Sequence, residues 1–148
     1  MVPNDTAYDR VALMRKMFWV VRKYIQKNDG VLGKMGLSRG QVPVLLELGH
    51  HEELNQRELA EKIHVTPATI SETLKQMERS GLIIRFTPET DARIYRVRLT
   101  NTGYEMLHTT IELLDQSSTE MLSRLTDEEC VFLNHIFNRL AQNINSEQ

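Results

Sequence analysis

The amino-acid sequence predicts a mainly α-helical protein with one small β hairpin. Apolar residues recur at helical spacing towards both ends of the chain, and one short stretch past residue 90 alternates apolar with basic residues. The 148 residues are 41% hydrophobic and 26% charged, which is the composition of a folded globular chain. We therefore expect one compact domain, or a small domain with an added oligomerisation element.

The first predicted helix runs from Thr6 to about Lys27 and carries two apolar stripes. The stripes are Val11, Met14, Phe18, Val21 and Ile25, and Leu13, Met17, Val20 and Tyr24. A helix on the outside of a monomer needs only one stripe, so the second face is expected to meet another helix, of this chain or of a second subunit. Glycines at positions 30, 33 and 36 are expected to end the helix.

The next three helices are predicted to begin at capping sequences. The caps are Ser38 with Gln41, Asn55 with Glu58, and Thr66 followed by Pro67. The short third helix and the longer fourth helix are joined by a turn of about three residues, which is typical of a helix-turn-helix. Short polar and basic side chains at the start of such a second helix reach base edges and phosphates in a major groove. The candidate DNA-binding residues here are Gln56, Thr66, Pro67, Ala68, Thr69, Ser71, Glu72 and Lys75.

A two-stranded hairpin is predicted to follow, with Leu82 to Phe86 and Tyr95 to Leu99 as its strands. In the second strand Tyr95, Val97 and Leu99 are expected to pack, while Arg96 and Arg98 point away. Some of the four arginines Arg85, Arg93, Arg96 and Arg98 are expected to contact the phosphate backbone, with Arg93 at the tip suited to a narrow minor groove. The alternative interpretation is a solvated hairpin edge that is protected by charge.

Two long helices are predicted after the hairpin, one starting at Thr100 and one at the capping box Thr126 to Glu129. Because the chain provides no obvious third layer for them, we expect these helices to need a partner, and self-association is plausible. Residues 1–35 and 101–148 are then the helical dimerisation region, and residues 36–100 are the winged helix-turn-helix DNA-binding region.

Charge is distributed unevenly along the chain. Residues 1 to 49 hold eight Lys and Arg against four Asp and Glu, residues 50 to 100 hold eight against eight, and residues 101 to 148 hold two against eight. The basic and acidic ends are expected to attract each other within or between subunits, unless the imbalance only reflects solvated helix faces. The neutral middle third argues against strong non-specific DNA binding, so dimerisation and groove fit are expected to supply affinity.

The sequence predicts a cytoplasmic protein that does not span a membrane. Its longest apolar runs are five residues, Met17 to Val21 and Val42 to Leu46, whereas a membrane-spanning helix needs roughly 20. The first ten residues lack the apolar core of a signal peptide. The single cysteine, Cys130, permits no internal disulfide, so stability is expected to come from packing.

Several segments in order resemble the MarR family of bacterial transcription regulators. They are residues 36–45, Leu59-Ala60, residues 78–85, Asp91-Ala92-Arg93 and residues 97–103. The resemblance implies a winged helix-turn-helix, a homodimer built from the first and last helices, and binding to pseudo-palindromic double-stranded DNA operators. It also implies that Arg93 enters the minor groove and that Asp91 holds the wing in shape. Ala92 stands where the family often has another basic residue.

Two positions depart from the usual helix-turn-helix pattern. His64 stands in the turn where glycine is common, and Thr73 replaces an apolar residue inside the second helix. Histidine tolerates a left-handed backbone better than branched residues do, so His64 is expected to have a structural role.

The predicted activity is that of a repressor released by a small-molecule effector. Met14, Phe18, Trp19 and Leu45 are candidates to line an effector pocket between the terminal helices and the winged module, although ordinary core packing explains the same residues. A metal-responsive variant would use Glu105, His108 and Glu112, and a redox-responsive one Cys130. An exposed charged face and an inert thiol are the simpler interpretations, and we expect neither metal nor cofactor.

An enzyme is not predicted, because the chain lacks a nucleophile elbow, a His-Glu-x-x-His motif and a Gly-rich phosphate loop. A helical interaction module without a DNA role would account for the terminal helices. It would leave the basic wing unexplained.

Overall fold

The structure of the protein, a computed structural model, describes residues 9–88 and 94–145. Its helices and strands follow one another in the order α1 Arg10–Lys34, α2 Gln41–His50, β1 Leu54–Asn55, α3 Gln56–Lys62, α4 Pro67–Arg79, β2 Ile83–Phe86, β3 Arg96–Leu99, α5 Asn101–Leu122 and α6 Asp127–Asn145. This architecture confirms the predicted fold class. The chain forms two compact units, which divide between Leu113 and Leu114 within α5.

Helix α1 extends seven residues beyond its predicted end near Lys27. It begins after Asp9, whose carboxylate accepts a hydrogen bond from the Val11 amide at 2.9 Å, and it continues to Lys34. The prediction was wrong because glycines inside a helix lower its stability without forbidding it. Of the glycines in this region only Gly36 adopts a left-handed backbone, with φ of 78°, and there the chain leaves the helical path.

An ion pair joins the end of α1 to the segment before α2. Arg39 Nε donates to Asp29 Oδ1 at 3.3 Å, and Arg39 Nη2 also pairs with this carboxylate. The hydrogen bond from Arg39 lowers the pKa of Asp29. Because the charged form of Asp29 is favoured in the fold, this contribution to stability is present above the ordinary aspartate pKa and is lost as the pH falls below it.

The predicted caps of α3 and α4 are present, whereas the N-cap of α2 is Gly40, which makes no side-chain capping hydrogen bond, so only half of the predicted Ser38–Gln41 box forms. Gln41 Oε1 accepts from the Ser38 amide at 2.8 Å, and Asn55 and Glu58 form a reciprocal capping box with hydrogen bonds of 2.7 and 2.9 Å. The apolar sides of α2 and α3 face one buried core. The core of the first unit includes Val44, Leu45, Leu48, Leu59, Ile70, Leu74, Met77, Ile83, Val97 and Leu107.

The predicted hairpin is present, but the sheet has three antiparallel strands in the order β1-β3-β2. The additional strand β1 pairs Leu54 with Val97, and its two residues are too few to show an alternating pattern in the sequence. Val97 and Leu99 are buried as predicted. Tyr95 is 69% exposed instead of packed, because the ladder with β2 ends at Arg96 and no strand residue lies opposite Tyr95.

The start of α5 is held tightly against the end of α4. Thr100 Oγ1 donates to the Gly81 carbonyl at 2.6 Å and accepts from the Gly103 amide at 3.0 Å. A Cβ atom at Gly103 would lie 2.0 Å from the Leu82 carbonyl oxygen. Only glycine therefore permits this approach of helix to backbone.

The second unit contains the end of α5 and all of α6. The predicted capping box is present, since Thr126 and Glu129 exchange hydrogen bonds of 2.9 and 3.2 Å. A hydrogen bond from its own backbone amide and one from Thr126 lower the pKa of Glu128. Several large apolar side chains of α6 are exposed, among them Val131, Phe132, Phe137 and Ile144. Within the described ranges, no helix has both the length and the hydropathy of a membrane span.

Candidate nucleic-acid interface

The turn between α3 and α4 sets the direction in which α4 leaves the core. His64 adopts a left-handed backbone with φ of 55°, which confirms its predicted structural role. The following Val65 amide donates back to the Ala60 carbonyl at 3.0 Å. Thr66 then caps α4 through its hydroxyl, which accepts from the Thr69 amide at 3.2 Å. Helices α3 and α4 thus form the predicted helix-turn-helix.

Helix α4 has one buried face and one exposed face. Ile70, Leu74 and Met77 are fully buried against the core. With 3.6 residues per turn, the side chains opposite them lie on a single outward row. That row consists of Ala68, Glu72, Lys75 and Arg79, all of which are exposed.

The first turn of α4 presents short side chains. Thr66, Pro67, Ala68 and Thr69 are exposed, and Ser71 is half-buried beside them. The Thr66 and Thr69 hydroxyls lie 2.9 Å apart and share a hydrogen bond. Such a small, polar helix start can approach base edges closely.

Thr73 is accommodated inside α4 because its hydroxyl donates to the Thr69 carbonyl at 3.0 Å. The hydroxyl lies beside Gly40 without crowding, since even a Cβ atom added there would lie at an ordinary contact distance of 3.7 Å. The departure from an apolar residue at position 73 therefore leaves no unsatisfied hydroxyl and does not disturb the helix.

Charged side chains of α4 differ in how they are held. Gln76 Nε2 donates to Glu72 Oε1 at 3.1 Å. Lys75 and Arg79 make no hydrogen bond or ion pair with any residue that the structure describes. Arg79 was not among the residues predicted for DNA binding, although its spacing of seven from Glu72 places it on the same row. Both cations are free to meet phosphates.

Gln56 lies at the first position of α3 and is half-buried. It lines a shallow groove between α3 and α4 together with Ala60, Val65 and Pro67. The structure thus brings Gln56 next to the start of α4, as a joint role in DNA binding requires. On the rim of the groove Arg57 pairs with Glu61 at 2.8 Å.

The described arginines of the wing are held by contacts within the protein. Arg85 Nε lies 3.3 Å from Glu78 Oε2, and Arg96 Nε lies 3.4 Å from Glu53 Oε1. The Arg98 guanidinium stacks over the Phe86 ring at 4.8 Å from its centroid. The two ion pairs join β2 to α4 and β3 to the segment before β1, and the ring contact joins β3 to β2. None of the three contacts was predicted from the sequence. Among the three, Arg98 remains the exposed one.

The wing tip lies outside the described residues. It includes Asp91, Ala92 and Arg93, so the predicted roles of Asp91 and Arg93 stay predictions.

The four effector candidates divide into two environments. Met14, Phe18 and Trp19 are exposed on α1, whereas Leu45 is fully buried in the core. Phe18 and Trp19 line a shallow depression with the basic residues Arg15, Lys16 and Arg22. The structure therefore groups two of the four candidates and places Leu45 in the packed interior.

The candidate metal and redox residues are not assembled into sites. Glu105, His108 and Glu112 are exposed on α5. Within the described parts of the chain, no three His, Cys, Asp or Glu side chains are close enough to hold a metal ion. Cys130 is a half-buried free thiol in the first turns of α6.

Comparison with known proteins agrees with this geometry. Residues 37–95 match the sequence model of the MarR family. The uncharacterised helix-turn-helix regulator YdgJ of Bacillus subtilis is 27% identical, over 99% of this chain and 98% of its own. The transcriptional repressor MdtR of the same organism is 30% identical, over 74% of this chain and 70% of its own.

A solved structure shows the same fold. The crystal structure of an S. aureus MepR–DNA complex has a TM-score of 0.79 and 23% identity, and it covers 93% of this chain and 99% of its own. The relatives are named as regulators and not as enzymes, which agrees with a non-enzymatic chain. The predicted resemblance is confirmed, and the chain belongs to the MarR family of DNA-binding transcription regulators.

Proposed function

We propose that this regulator is a homodimeric repressor whose two α4 helices enter successive major grooves of a pseudo-palindromic operator. The exposed outward row of α4, with Lys75 and Arg79 unpaired among the described residues, is the observation that carries the proposal. In helix-turn-helix proteins the second helix lies in the major groove and its first residues contact base edges. The fold shared with MepR, which was solved bound to DNA, supports this placement.

The residues of the interface have different proposed roles. Thr66, Pro67, Ala68, Thr69, Ser71 and Glu72 would face base edges, while Gln56, Lys75 and Arg79 would contact the phosphate backbone or adjacent bases. Arg93 would enter the minor groove, supported by Asp91. Arg85 would position the wing for DNA binding. Its ion pair with Glu78 connects β2 to α4, and only 25% of its side chain is exposed.

Homodimerisation is supported by apolar surface that one chain leaves uncovered. On α1, Val11, Phe18 and Trp19 are more than 60% exposed, and on α6 the same holds for Val131 and Phe132. Large exposed apolar patches mark interaction surfaces. The excess of basic residues before position 50 and of acidic residues after position 100 suits contacts between two copies. We therefore assign residues 1–35 and 101–148 to the dimerisation region.

Repression and release by an effector complete the proposal. MdtR, a relative, is named as a repressor, which supports that direction of control. The Phe18 and Trp19 depression, lined by three basic residues, could receive a small effector that favours a dimer with mismatched α4 helices. Met14 lies on the same helix as this depression. Leu45 is buried, so it would be affected by the effector only through changes in core packing. A cytoplasmic location is part of the proposal, since a transcription regulator needs access to DNA.

A mobility-shift assay tests the proposal. DNA from upstream of the protein's own gene and selected genomic fragments are used at near-physiological salt, with non-specific competitor and scrambled controls. We expect a discrete competitor-resistant complex. Arg79→Ala should weaken it about 10-fold and lower the salt slope by about 2, because a dimer loses two phosphate contacts.

The matched control is Arg124→Ala, which removes an exposed arginine between α5 and α6 and should bind like the wild type. Equal affinity of Arg79→Ala and Arg124→Ala would contradict the α4 interface. Failure to find any specific complex among the genomic fragments would contradict the proposed function itself.

A further inference from the structure

Glu72 is an acidic side chain on the face that we propose to enter the major groove. It is exposed near the middle of the outward row, on the opposite side of α4 from buried Ile70 and Leu74. One turn before it stands Ala68, whose methyl group leaves space beside the carboxylate. A surface that binds DNA phosphates only would have no use for a negative charge at this position.

The hydrogen bonds of Glu72 leave part of the carboxylate available. Gln76 Nε2 donates to Oε1 at 3.1 Å, which orients the group along the helix surface. Oε2 has no hydrogen-bond partner among the described residues, and Glu72 forms no ion pair with Lys75 at the next turn. One carboxylate oxygen therefore accepts from Gln76, and the other remains available on an exposed side chain.

The chemistry of an ionised carboxylate restricts which base it can contact. It accepts hydrogen bonds and donates none. In the major groove only the amino groups of cytosine and adenine are donors, and guanine and thymine present acceptors that would repel the charge. Adenine also carries the N7 acceptor beside its amino group, whereas cytosine has only a C–H there. Cytosine is thus the base that best fits Glu72.

We propose that Glu72 determines operator specificity by accepting a hydrogen bond from one cytosine amino group in each half-site. The same charge lowers the affinity for DNA in which another base stands at that position. This inference rests on the proposed function, because it requires α4 to lie in the major groove. It adds the base that each half-site must contain.

Selection of binding sites from random duplex DNA tests the inference with four full-length proteins. These are the wild type, Glu72→Gln, Lys75→Ala and the control Glu105→Gln, which removes the same charge from an exposed site on α5. The recovered sites are compared position by position, and the affinity for single-base variants of the wild-type site is measured by fluorescence anisotropy.

For the wild type we expect one conserved cytosine in each half-site, with about 10-fold weaker binding for each cytosine that is replaced. Glu72→Gln should lose that preference and favour adenine there, because an amide pairs with both the amino group and N7 of adenine. It should also bind random duplex more tightly than the wild type does. Glu105→Gln should recover the wild-type sites.

Two results separate the inference from the function on which it rests. If the wild type and Glu72→Gln recover the same sites while Lys75→Ala binds them more weakly, α4 contacts DNA but the role of Glu72 is wrong. A preference that changes only at a base other than cytosine overturns the inference in the same way. If the wild type recovers no common site, both the inference and the proposed function are contradicted.

Discussion

At the level of single residues, the backbone conformation at one position sets the direction in which α4 leaves the core. His64 has φ of 55°, a region that glycine enters without steric cost and branched residues rarely enter. Its position between two capping patterns makes the turn recognisable from the sequence, and its side chain is exposed. A substitution at position 64 therefore changes the backbone strain with little change in side-chain packing.

We predict that His64→Gly raises the free energy of unfolding by up to about 1 kcal/mol and that His64→Val lowers it by about 1 kcal/mol. Urea denaturation at fixed protein concentration measures both changes. His108→Gly is the matched control, because His108 is also exposed but lies within α5, where glycine should cost about 0.5 kcal/mol. Destabilisation of equal size at both positions would contradict the strained turn.

The ion pairs of the wing could not be predicted from the sequence. Some of the four wing arginines, which include Arg85 and Arg96, were expected to contact the phosphate backbone, but alternation with apolar residues predicts only the face of a strand. Their partners Glu78 and Glu53 lie on other elements, so the pairs depend on the tertiary arrangement. Capping residues such as Asn55 and Glu58 were predictable because their hydrogen bonds are local.

At the level of elements, glycines in two helices have opposite consequences. Gly30 lies inside α1 with no atom within 4 Å of an added Cβ, whereas a Cβ at Gly103 in α5 would lie 2.0 Å from the Leu82 carbonyl oxygen. The sequence predicted that Gly30 would help to end α1, and it singled out Gly103 only as part of a segment that resembles the MarR family. Only the structure distinguishes the one that a close approach requires.

Gly30→Ala is predicted to stabilise the protein by about 1 kcal/mol, because alanine has the higher helix propensity and fits the open space. Gly103→Ala should destabilise it by about 3 kcal/mol, because backbone must shift to relieve the contact. Thermal and urea unfolding of the two variants, compared with the wild type at one concentration, provide the measurement. A stable Gly103→Ala variant would contradict the packing of α5 on the end of α4.

The limits of helix α1 and the strand β1 show where periodicity fails as a guide. Glycines predicted an early end of α1, yet Leu32 is buried in the core and anchors its last turns. Tertiary packing outweighs helix propensity there. Strand β1 is two residues long, and its pairing with β3 depends on the tertiary arrangement that brings the two segments together.

At the level of the whole molecule, exposed apolar surface on α1 and α6 predicts self-association. Sedimentation equilibrium at micromolar concentration should give twice the 17.2 kDa mass of one chain. Trp19, the single tryptophan, is 62% exposed in one chain, so its emission should shift to the red if dilution separates the subunits. A mass of one chain at all concentrations would contradict the proposed homodimer.

The central claim is that α4 of each subunit lies in a major groove of the same operator, and the single native cysteine allows a direct measurement. Ala68→Cys is combined with Cys130→Ser, and a DNA-cleaving iron chelate is attached at position 68. The control protein carries the same chelate through His108→Cys, which lies on α5 in the same background.

The account predicts that the chelate at position 68 cleaves a selected operator at two major-groove positions about 10 base pairs, or one helical turn, apart. The chelate at position 108 should give no cleavage at these positions. Cleavage at a single position, equal cleavage from both proteins, or binding without cleavage from position 68 would contradict the claim.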